Sequence, residues 1–331
     1  TGQLLYWMLT PVSWWYAVLM LIHRKVYDRH ISEHVYRMRD VPPRPGRIHG
    51  LRVISVGNLA VGGTGKTPMA AWVARLLSER GTPTAVVSRG YGRDELLLHR
   101  RWNPEVAVEA DPDRIVAAER ARDAGAAVVV LDDGFQHRRL ARDLDLVLLA
   151  AEDTFPGRLL PIGPYRETAA SLARADVIVV TRRTASSERA LEVVQRAHGF
   201  APSCLVGGVH LAAGGWLDLA GEQIGAPPGG VLVVAAVARP DDFRENVAVL
   251  LGTEVGLLAF ADHHEYCDDD VRRIAAAADG RSVVVTEKDA VKLERWASEL
   301  PDVYVLTQSI VWESGRDEVE MRIREAAGVI S

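Results

Sequence analysis

The feature that most constrains this chain is a glycine-rich stretch that follows an apolar run and precedes a helical pattern. The stretch is Val53–Thr67, VISVGNLAVGGTGKT, and residues 69–77 after it have the pattern of a helix. In such a strand–loop–helix arrangement the loop amides and the positive end of the helix face one point, and both favour an anion. The strict phosphate-loop pattern has glycine where this chain has Ala60. We interpret the stretch as a phosphate-binding loop; the alternative is a glycine-rich turn with a chance Gly-Lys-Thr.

The residue types in this loop predict how the phosphates of a nucleotide are held. Glycine lets the backbone approach a phosphate closely, Lys66 is long enough to reach the outer phosphates, and the hydroxyl of Thr67 can bind Mg²⁺. The predicted nucleotide-binding residues are Ala60, Val61, Gly62, Gly63, Thr64, Gly65, Lys66 and Thr67.

Two adjacent acids follow a second apolar run. Residues 126–131, AAVVVL, have the continuous apolar sequence of a central parallel strand, and Asp132 and Asp133 come directly after them. Open α/β sheets bind their ligands at the carboxyl ends of strands. We therefore expect one of the two aspartates to contact the metal beside the phosphates, although the pattern does not decide which. The alternative is a solvated acidic loop.

The alternation of apolar runs with helical patterns predicts the fold. Strands that alternate with helices form parallel sheets covered on both faces, and the pattern restarts after about residue 203. We predict an α/β fold with a P-loop NTPase-type parallel sheet flanked by helices and a smaller second α/β domain. The predicted domains are an N-terminal membrane-associating helix and linker (1–45), a P-loop ATP-binding domain (46–203) and a smaller C-terminal α/β domain (204–331).

The N-terminal segment differs from the rest of the chain. Residues 4–22 contain several tryptophans and no charged side chain, and basic residues outnumber acidic ones over residues 24–52. An apolar, tryptophan-rich segment beside basic residues suits an anionic membrane surface. A helix packed on the protein's own core and a true membrane span are the alternatives, although Thr10, Pro11 and Ser13 interrupt the apolar run.

The composition excludes several classes of protein. A formal net charge of −5 over 331 residues gives no signature of nucleic-acid binding. The chain has 2 cysteines, Cys204 and Cys267, without metal-ligand spacing, which argues against a disulfide scaffold or a zinc site. We expect a monomer without a nucleic-acid partner.

Local pattern leaves several charged residues ambiguous. The pair Asp94-Glu95 is common at helix starts, and Asp262-His263-His264 lies in a turn where histidine is either a surface residue or catalytic. Arginine pairs bidentately with phosphate, although any one arginine is by default a solvated surface residue. The substrate-binding candidates are Arg89, Arg93, Arg158 and Arg166, with Gln136 and His137 beside the two aspartates.

Taken together, these motifs resemble the tetraacyldisaccharide 4′-kinases of lipid A biosynthesis, over nearly the whole chain. The matching motifs are Gly57–Leu59 with Gly62–Thr67, Ser88–Tyr91, Asp132–His137, Arg158–Pro161, Gly163–Pro164, Arg166–Glu167, Ala238–Pro240, Asp262–His263 and Thr286–Asp289. In this family the position of Ala60 is commonly a small residue other than glycine, which accounts for the departure from the strict pattern.

The resemblance implies transfer of the γ-phosphoryl of ATP, with Mg²⁺, to the 4′-hydroxyl of a tetraacylated glucosamine disaccharide 1-phosphate. The implied partners are this lipid A precursor and the anionic inner-membrane surface, where a peripheral or monotopic protein would act at the cytoplasmic face. By the same resemblance, Asp94 and His263 activate the sugar hydroxyl, Lys66 is catalytic, and Glu95 serves the metal with Thr67. Since His263 falls in the second predicted domain, we expect domain closure to complete the site.

One departure from the family concerns the segment before Asp94. The family usually places a couple of dozen residues, including a glycine, between the Arg-Gly-Tyr turn and the Asp-Glu pair, whereas Arg93 here directly precedes Asp94. The connection is either shortened or closed over an omitted mobile segment, and we expect the second.

Two other functions remain open at this stage. One is a membrane-recruited P-loop ATPase switch without a lipid acceptor; such proteins usually have a second lysine where this chain has Val61. The other is a soluble small-molecule kinase whose N-terminal helix packs on the core.

Overall fold

The computed structural model describes residues 18–19, 46–90 and 93–329. The predicted membrane-associating segment, 1–45, lies outside these residues except for Val18 and Leu19, and so does the junction at Tyr91 and Gly92. Within the described ranges, no helix combines the length and apolar character needed to cross a membrane. The elements in chain order are β1 (Arg52–Asn58), α1 (Lys66–Ser78), β2 (Thr84–Ser88), α2 (Arg93–Trp102), β3 (Ala107–Ala110), α3 (Arg114–Asp123), β4 (Val128–Asp132), β5 (Leu144–Ala150), β6 (Val177–Arg182), α4 (Ser187–Phe200), β7 (Leu205–Leu217), β8 (Gln223–Ile224), β9 (Val231–Ala235), α5 (Pro240–Leu251), β10 (Gly256–Ala259), α6 (Asp268–Ala278), β11 (Ser282–Thr286), α7 (Glu287–Leu293), β12 (Val303–Ser314) and α8 (Arg316–Ala327).

The first of two compact units contains the described residues before 91, Asn103–Leu211 and those from Ile310 onward. Its parallel strands lie in the order β7, β6, β5, β1, β4, β2, β3. Strands β1, β4 and β5 are buried along nearly their whole length, which explains why their sequences are mostly apolar.

Each face of this sheet has its own core because successive strand residues point to opposite faces. On one face, Ile54 of β1 packs in a cluster with Met69 of α1 and Ile323 of α8. On the other, Val53 of β1 clusters with Ala117 of α3. Helices therefore flank the parallel sheet on both sides, as the alternating pattern predicts.

The second unit contains α2 and residues 212–309. Its parallel strands lie in the order β10, β9, β11, β12. Val283 and Val285 of β11 pack with Ile274 of α6, whereas Val284 packs with Val247 of α5. This unit is the smaller of the two α/β units, and most of it is formed by the part of the sequence in which the strand–helix alternation restarts after about residue 203.

Two helices lie in a different unit from their neighbours in the sequence. Helix α2 belongs to the second unit, where Trp102 Nε1 donates to Glu287 Oε1 of α7 at 2.7 Å. Helix α8 belongs to the first, where Val319 and Ile323 are fully buried. The division into domains at 46–203 and 204–331 stays a prediction about chain segments, which the compact units cross at these helices.

At Gly57, strand β1 approaches the loop after β4 so closely that there is no room for a Cβ. A Cβ at Gly57 would lie 2.5 Å from Phe135 Cβ and 2.8 Å from Phe135 N, so the G57A variant must shift buried backbone. We expect it to lower the free energy of unfolding by about 1–3 kcal/mol, measured by urea denaturation. The matched control is G199A in α4, where a Cβ meets nothing within 4 Å; alanine should there be neutral or stabilising by about 0.5–1 kcal/mol. Equal stability of the two variants would contradict the close approach.

Candidate active site

The loop between β1 and α1 has the backbone that phosphate binding requires. Gly62 (φ 115°) and Gly65 (φ 90°) are in the left-handed region, which residues with a Cβ rarely adopt. At Gly65 a Cβ would also lie 2.7 Å from Leu211 Cδ1. Since Gly65 is the N-cap of α1 and makes no side-chain cap, the first amides of the helix remain available to an anion.

Buried side chains from neighbouring strand ends fix this loop. Asn58 Nδ2 donates to Thr64 Oγ1 at 2.8 Å, and Thr181 Oγ1, at the end of β6, donates to Thr64 O at 3.0 Å. Asn58 and Thr181, which position the loop, are not among the predicted site residues. The available signal was a polar residue at the end of an apolar run, the same signal that singled out Asp132.

The structure explains why alanine is tolerated at position 60. Ala60 forms an antiparallel bridge with Tyr165 and is not among the described residues with positive φ, so its conformation does not require glycine. Val61 N donates to Pro164 O at 2.8 Å. The backbone of these two predicted nucleotide contacts is thus paired with the segment around Tyr165, which shapes the loop.

Charged side chains converge on Asp133 beside the loop. Lys66 Nζ lies 3.8 Å from Asp133 Oδ1, and the Arg166 guanidinium lies 2.9 Å from Asp133 Oδ2. Asp133 has a φ of 56°, unusual for a residue with a side chain, and its carbonyl accepts a hydrogen bond from Arg114. Because Lys66 and Arg166 share one carboxylate, a phosphate group could replace that carboxylate as their anionic partner.

Thr67 and Asp132 supply hard oxygen atoms in the first unit. Thr67 is buried in the first turn of α1, and Asp132, the last residue of β4, is 3% exposed and pairs in register with Val56 of β1. Hydroxyl and carboxylate oxygens suit Mg²⁺. No group of three His, Cys, Asp or Glu side chains that could hold a metal exists in the described part of the chain. Magnesium ions in proteins are usually held by one or two carboxylates together with substrate phosphates and water.

The other predicted substrate residues have different surroundings. Gln136 Nε2 donates to Asn58 O at 2.8 Å, and Arg166 donates to Gln136 Oε1 at 3.3 Å, so both side chains lie beside the phosphate-loop strand. Burial, with the nearby charge of Arg114, lowers the pKa of His137 to about 4, and its Nε2 is buried without a hydrogen bond. Arg89 is exposed at the end of β2.

In the second unit, Asp94 and His263 form the predicted pair. His263 Nδ1 lies 3.1 Å from Asp94 Oδ2 and 3.3 Å from Oδ1. The Asp94 side chain is 2% exposed and the His263 side chain 33%, so the histidine presents the accessible edge. His263 has a φ of 58°, and its N–H donates to Ala236 O at 3.2 Å.

The pair is electrostatically coupled. Burial alone would raise the pKa of Asp94, but the hydrogen bond with His263 and the charge of Lys288 bring it below its ordinary value. The hydrogen bond to Asp94 raises the pKa of His263 against the effect of burial. Both charged forms thus coexist between the two shifted pKa values.

Helix α2, which carries Asp94, lies in the second unit. The predicted ATP-binding domain, 46–203, includes Asp94, and closure of the two predicted domains is expected to complete the site; the contact between Asp94 and His263 itself forms within the second unit. The next residue, Glu95, lies 3.6 Å from Lys288 Nζ in the same unit. The predicted metal residues are therefore divided, with Thr67, Asp132 and Asp133 in the first unit and Glu95 in the second.

Comparison with known proteins assigns these features to one family. The family model described as tetraacyldisaccharide-1-P 4′-kinase matches residues 5–96 and 94–327. The chain belongs to this family. Among curated relatives, a tetraacyldisaccharide 4′-kinase of Anaeromyxobacter sp. (strain Fw109-5) is 41% identical over 74% of this chain and 74% of its own length, and one of Syntrophus aciditrophicus (strain SB) is 35% identical over 86% and 84%.

A solved structure of the same family has the same fold. The crystal structure of LpxK from Aquifex aeolicus in complex with ATP superposes with a TM-score of 0.76 at 26% identity, covering 97% of this chain and 99% of that one. The predictions of a tetraacyldisaccharide 4′-kinase family member and of a P-loop α/β fold are thereby confirmed.

The coupling within the pair predicts how His263 titrates. In the D94A variant the carboxylate that raises the His263 pKa is lost while burial and Lys288 still lower it, so the pKa should fall to or below the ordinary value of 6.5. The pair stabilises the fold above the lowered pKa of Asp94, and this contribution is lost as pH rises through the raised pKa of His263. Histidine ring signals followed by NMR against pH measure the shift.

The matched control for this titration is D262A. Asp262 is half-exposed and lies 4.0 Å from His263 Nε2, so its removal should lower the His263 pKa much less than D94A does. A His263 pKa that is insensitive to D94A would show that the pair is not coupled in solution.

Proposed function

We propose that this protein is an ATP-dependent kinase that phosphorylates the 4′-hydroxyl of a tetraacylated glucosamine disaccharide 1-phosphate, a lipid A precursor. The observation that carries the proposal is the family match, which includes the phosphate loop and both Asp94 and His263. The loop would bind the phosphates of the nucleotide, and the carboxylate–imidazole pair would accept the proton of an acceptor hydroxyl. The predicted domain 46–203 would bind ATP, and 204–331 would be the smaller C-terminal domain.

The first unit would bind and orient the phosphates. Phosphoryl transfer depends on positioning and charge neutralisation more than on covalent help from the protein. The amides of the glycine-rich loop and Lys66 would hold the β- and γ-phosphates, and Arg166 would supply a bidentate partner for phosphate oxygens. Thr67, with Asp132 or Asp133, would hold Mg²⁺ within this unit, and the bound ion would neutralise phosphate charge.

The second unit would accept the proton of the acceptor hydroxyl. In this proposal Asp94 takes that proton and His263 orients the Asp94 carboxylate through its Nδ1 contact. Asp94 is a weak base in the ground state because its pKa is lowered. A weak base suffices, because the loose transition state of phosphoryl transfer requires little proton removal before the phosphorus–oxygen bond breaks.

Substitution of the base should separate catalysis from nucleotide binding. We expect D94N to lower kcat by about 10²–10⁴-fold while the Kd for ATP changes little. The assay follows labelled phosphate from ATP onto the disaccharide lipid in detergent. The control D262N removes a neighbouring half-exposed acid and should retain activity. Equal losses in kcat and in ATP affinity would contradict the role of Asp94, and ATP hydrolysis without a phospholipid product would favour the ATPase switch.

We also propose that the segment 4–22, with the basic residues after it, associates with the anionic inner-membrane surface. The full chain should sediment with vesicles that contain anionic lipid and not with zwitterionic vesicles, and raised ionic strength should weaken the association. The variant R24Q/K25Q should bind less than the wild type, whereas R244Q/R272Q, with the same change in charge, should bind equally. Equal binding by both variants would contradict the proposal.

A further inference from the structure

The segment Thr286–Asp289, at the start of α7, contacts the structures that carry both members of the Asp94–His263 pair. This segment is one of the motifs that resemble the family, and its residues Lys288 and Asp289 have no predicted role. All of its contacts described below lie within the second unit.

Asp289 is a buried carboxylate that holds the backbone next to His263. It is 0% exposed and accepts hydrogen bonds from Thr286 Oγ1 at 2.7 Å and Tyr266 OH at 2.9 Å. It also accepts from Ala236 N, with both carboxylate oxygens at 3.2 and 3.3 Å. Ala236 is the residue whose carbonyl accepts the His263 N–H at 3.2 Å. The Asp289 carboxylate thus holds Ala236, and Ala236 in turn accepts the hydrogen bond from the backbone N–H of His263.

The turn that carries His263 is held on its other side as well. The Lys292 side chain is 3% exposed; its Nζ lies 3.9 Å from Asp289 Oδ1 and donates to His264 O at 2.9 Å. Tyr266 stacks edge-on against Phe260 and His264 while its hydroxyl reaches Asp289. Asp289 and its partners therefore contact the turn before and after His263.

The same segment holds α2, the helix of Asp94. Glu287 accepts the indole N–H of Trp102 at the end of α2 at 2.7 Å, and its second oxygen accepts Gln308 N at 2.9 Å. Lys288 Nζ lies 3.6 Å from Glu95 at the start of α2. Adjacent residues thus contact both ends of the helix.

We propose that Glu287 and Asp289 are positioning residues that set the Asp94–His263 distance, Glu287 through Trp102 and α2, and Asp289 through Ala236, Tyr266 and the His263 turn. This inference rests on the proposed role of the pair in activating the acceptor hydroxyl. Neither Glu287 nor Asp289 touches the substrate. Because each acts only through a member of the pair, its effect on kcat should disappear when that member of the pair is removed.

A double-mutant cycle on kcat tests the His263 side. Y266F removes only the hydroxyl that donates to Asp289 and keeps the ring contacts, so the variant should fold. We expect it to lower kcat by about five- to tenfold with the KM for ATP unchanged. In an H263A background the same substitution should change kcat by less than about twofold, because the residue through which it acts is absent.

A second cycle tests the Asp94 side in the same way. W102F removes the indole donor to Glu287, and its effect on kcat should be present in the wild type and absent in D94N. The matched controls are Y304F and W216F, whose rings pack against each other in the same unit at 6.5 Å, and these should leave kcat unchanged in every background.

The outcomes separate this inference from the proposed function. Losses from Y266F and W102F that persist at full size in the H263A and D94N backgrounds would overturn the positioning role, since they would reflect general destabilisation. Absence of any loss from Y266F and W102F in the wild type would overturn it too. Wild-type kcat in H263A and D94N themselves would overturn the proposed role of the pair, and the inference with it.

Discussion

The parallel pairing of buried strands is the constraint on which the first unit depends. Strands that run in one direction end at one edge, and the register that places Val56 beside Asp132 also brings the residues after β1 and β4 together. Asn58, the last residue of β1, and Thr181, near the end of β6, lie at the same edge of the sheet. Both form hydrogen bonds with Thr64 of the loop. The polar site is therefore a consequence of backbone pairing, and the side chains only complete it.

In the second unit the main requirement is to compensate carboxylates that are buried away from water. Asp94 and Asp289 are almost completely buried, and a buried carboxylate is tolerated only when donors or a cation compensate it. Asp289 meets this requirement with backbone, hydroxyl and ammonium groups, whereas Asp94 relies on a histidine that is one-third exposed. The less enclosed of the two carboxylates is thus the one beside a partner that solvent can reach.

The sequence predicts some of these features from local physics. Apolar runs predict β1 and β4, because strands buried on both faces have mostly apolar sequences. The site in the second unit is harder to predict from the sequence. Asp94 has the local pattern of any helix start, and only the family resemblance implies a role for it. The membership of α2 in the second unit depends on contacts such as that of Trp102 with Glu287, far apart in the chain, which no local pattern contains.

The return of α8 to the first unit has a consequence for the order in which this protein folds during synthesis. Val319 and Ile323 are fully buried in the core that contains β1 and α1, so the sheet of the first unit lacks one of its covering helices until residues 316–327 have left the ribosome. The nascent chain must leave the part of this apolar face that α8 covers exposed while the whole second unit is being made. For a protein of this layout, the core of the first unit is completed only after the whole second unit has been made, and chaperone protection of that face would matter most while α8 is still missing.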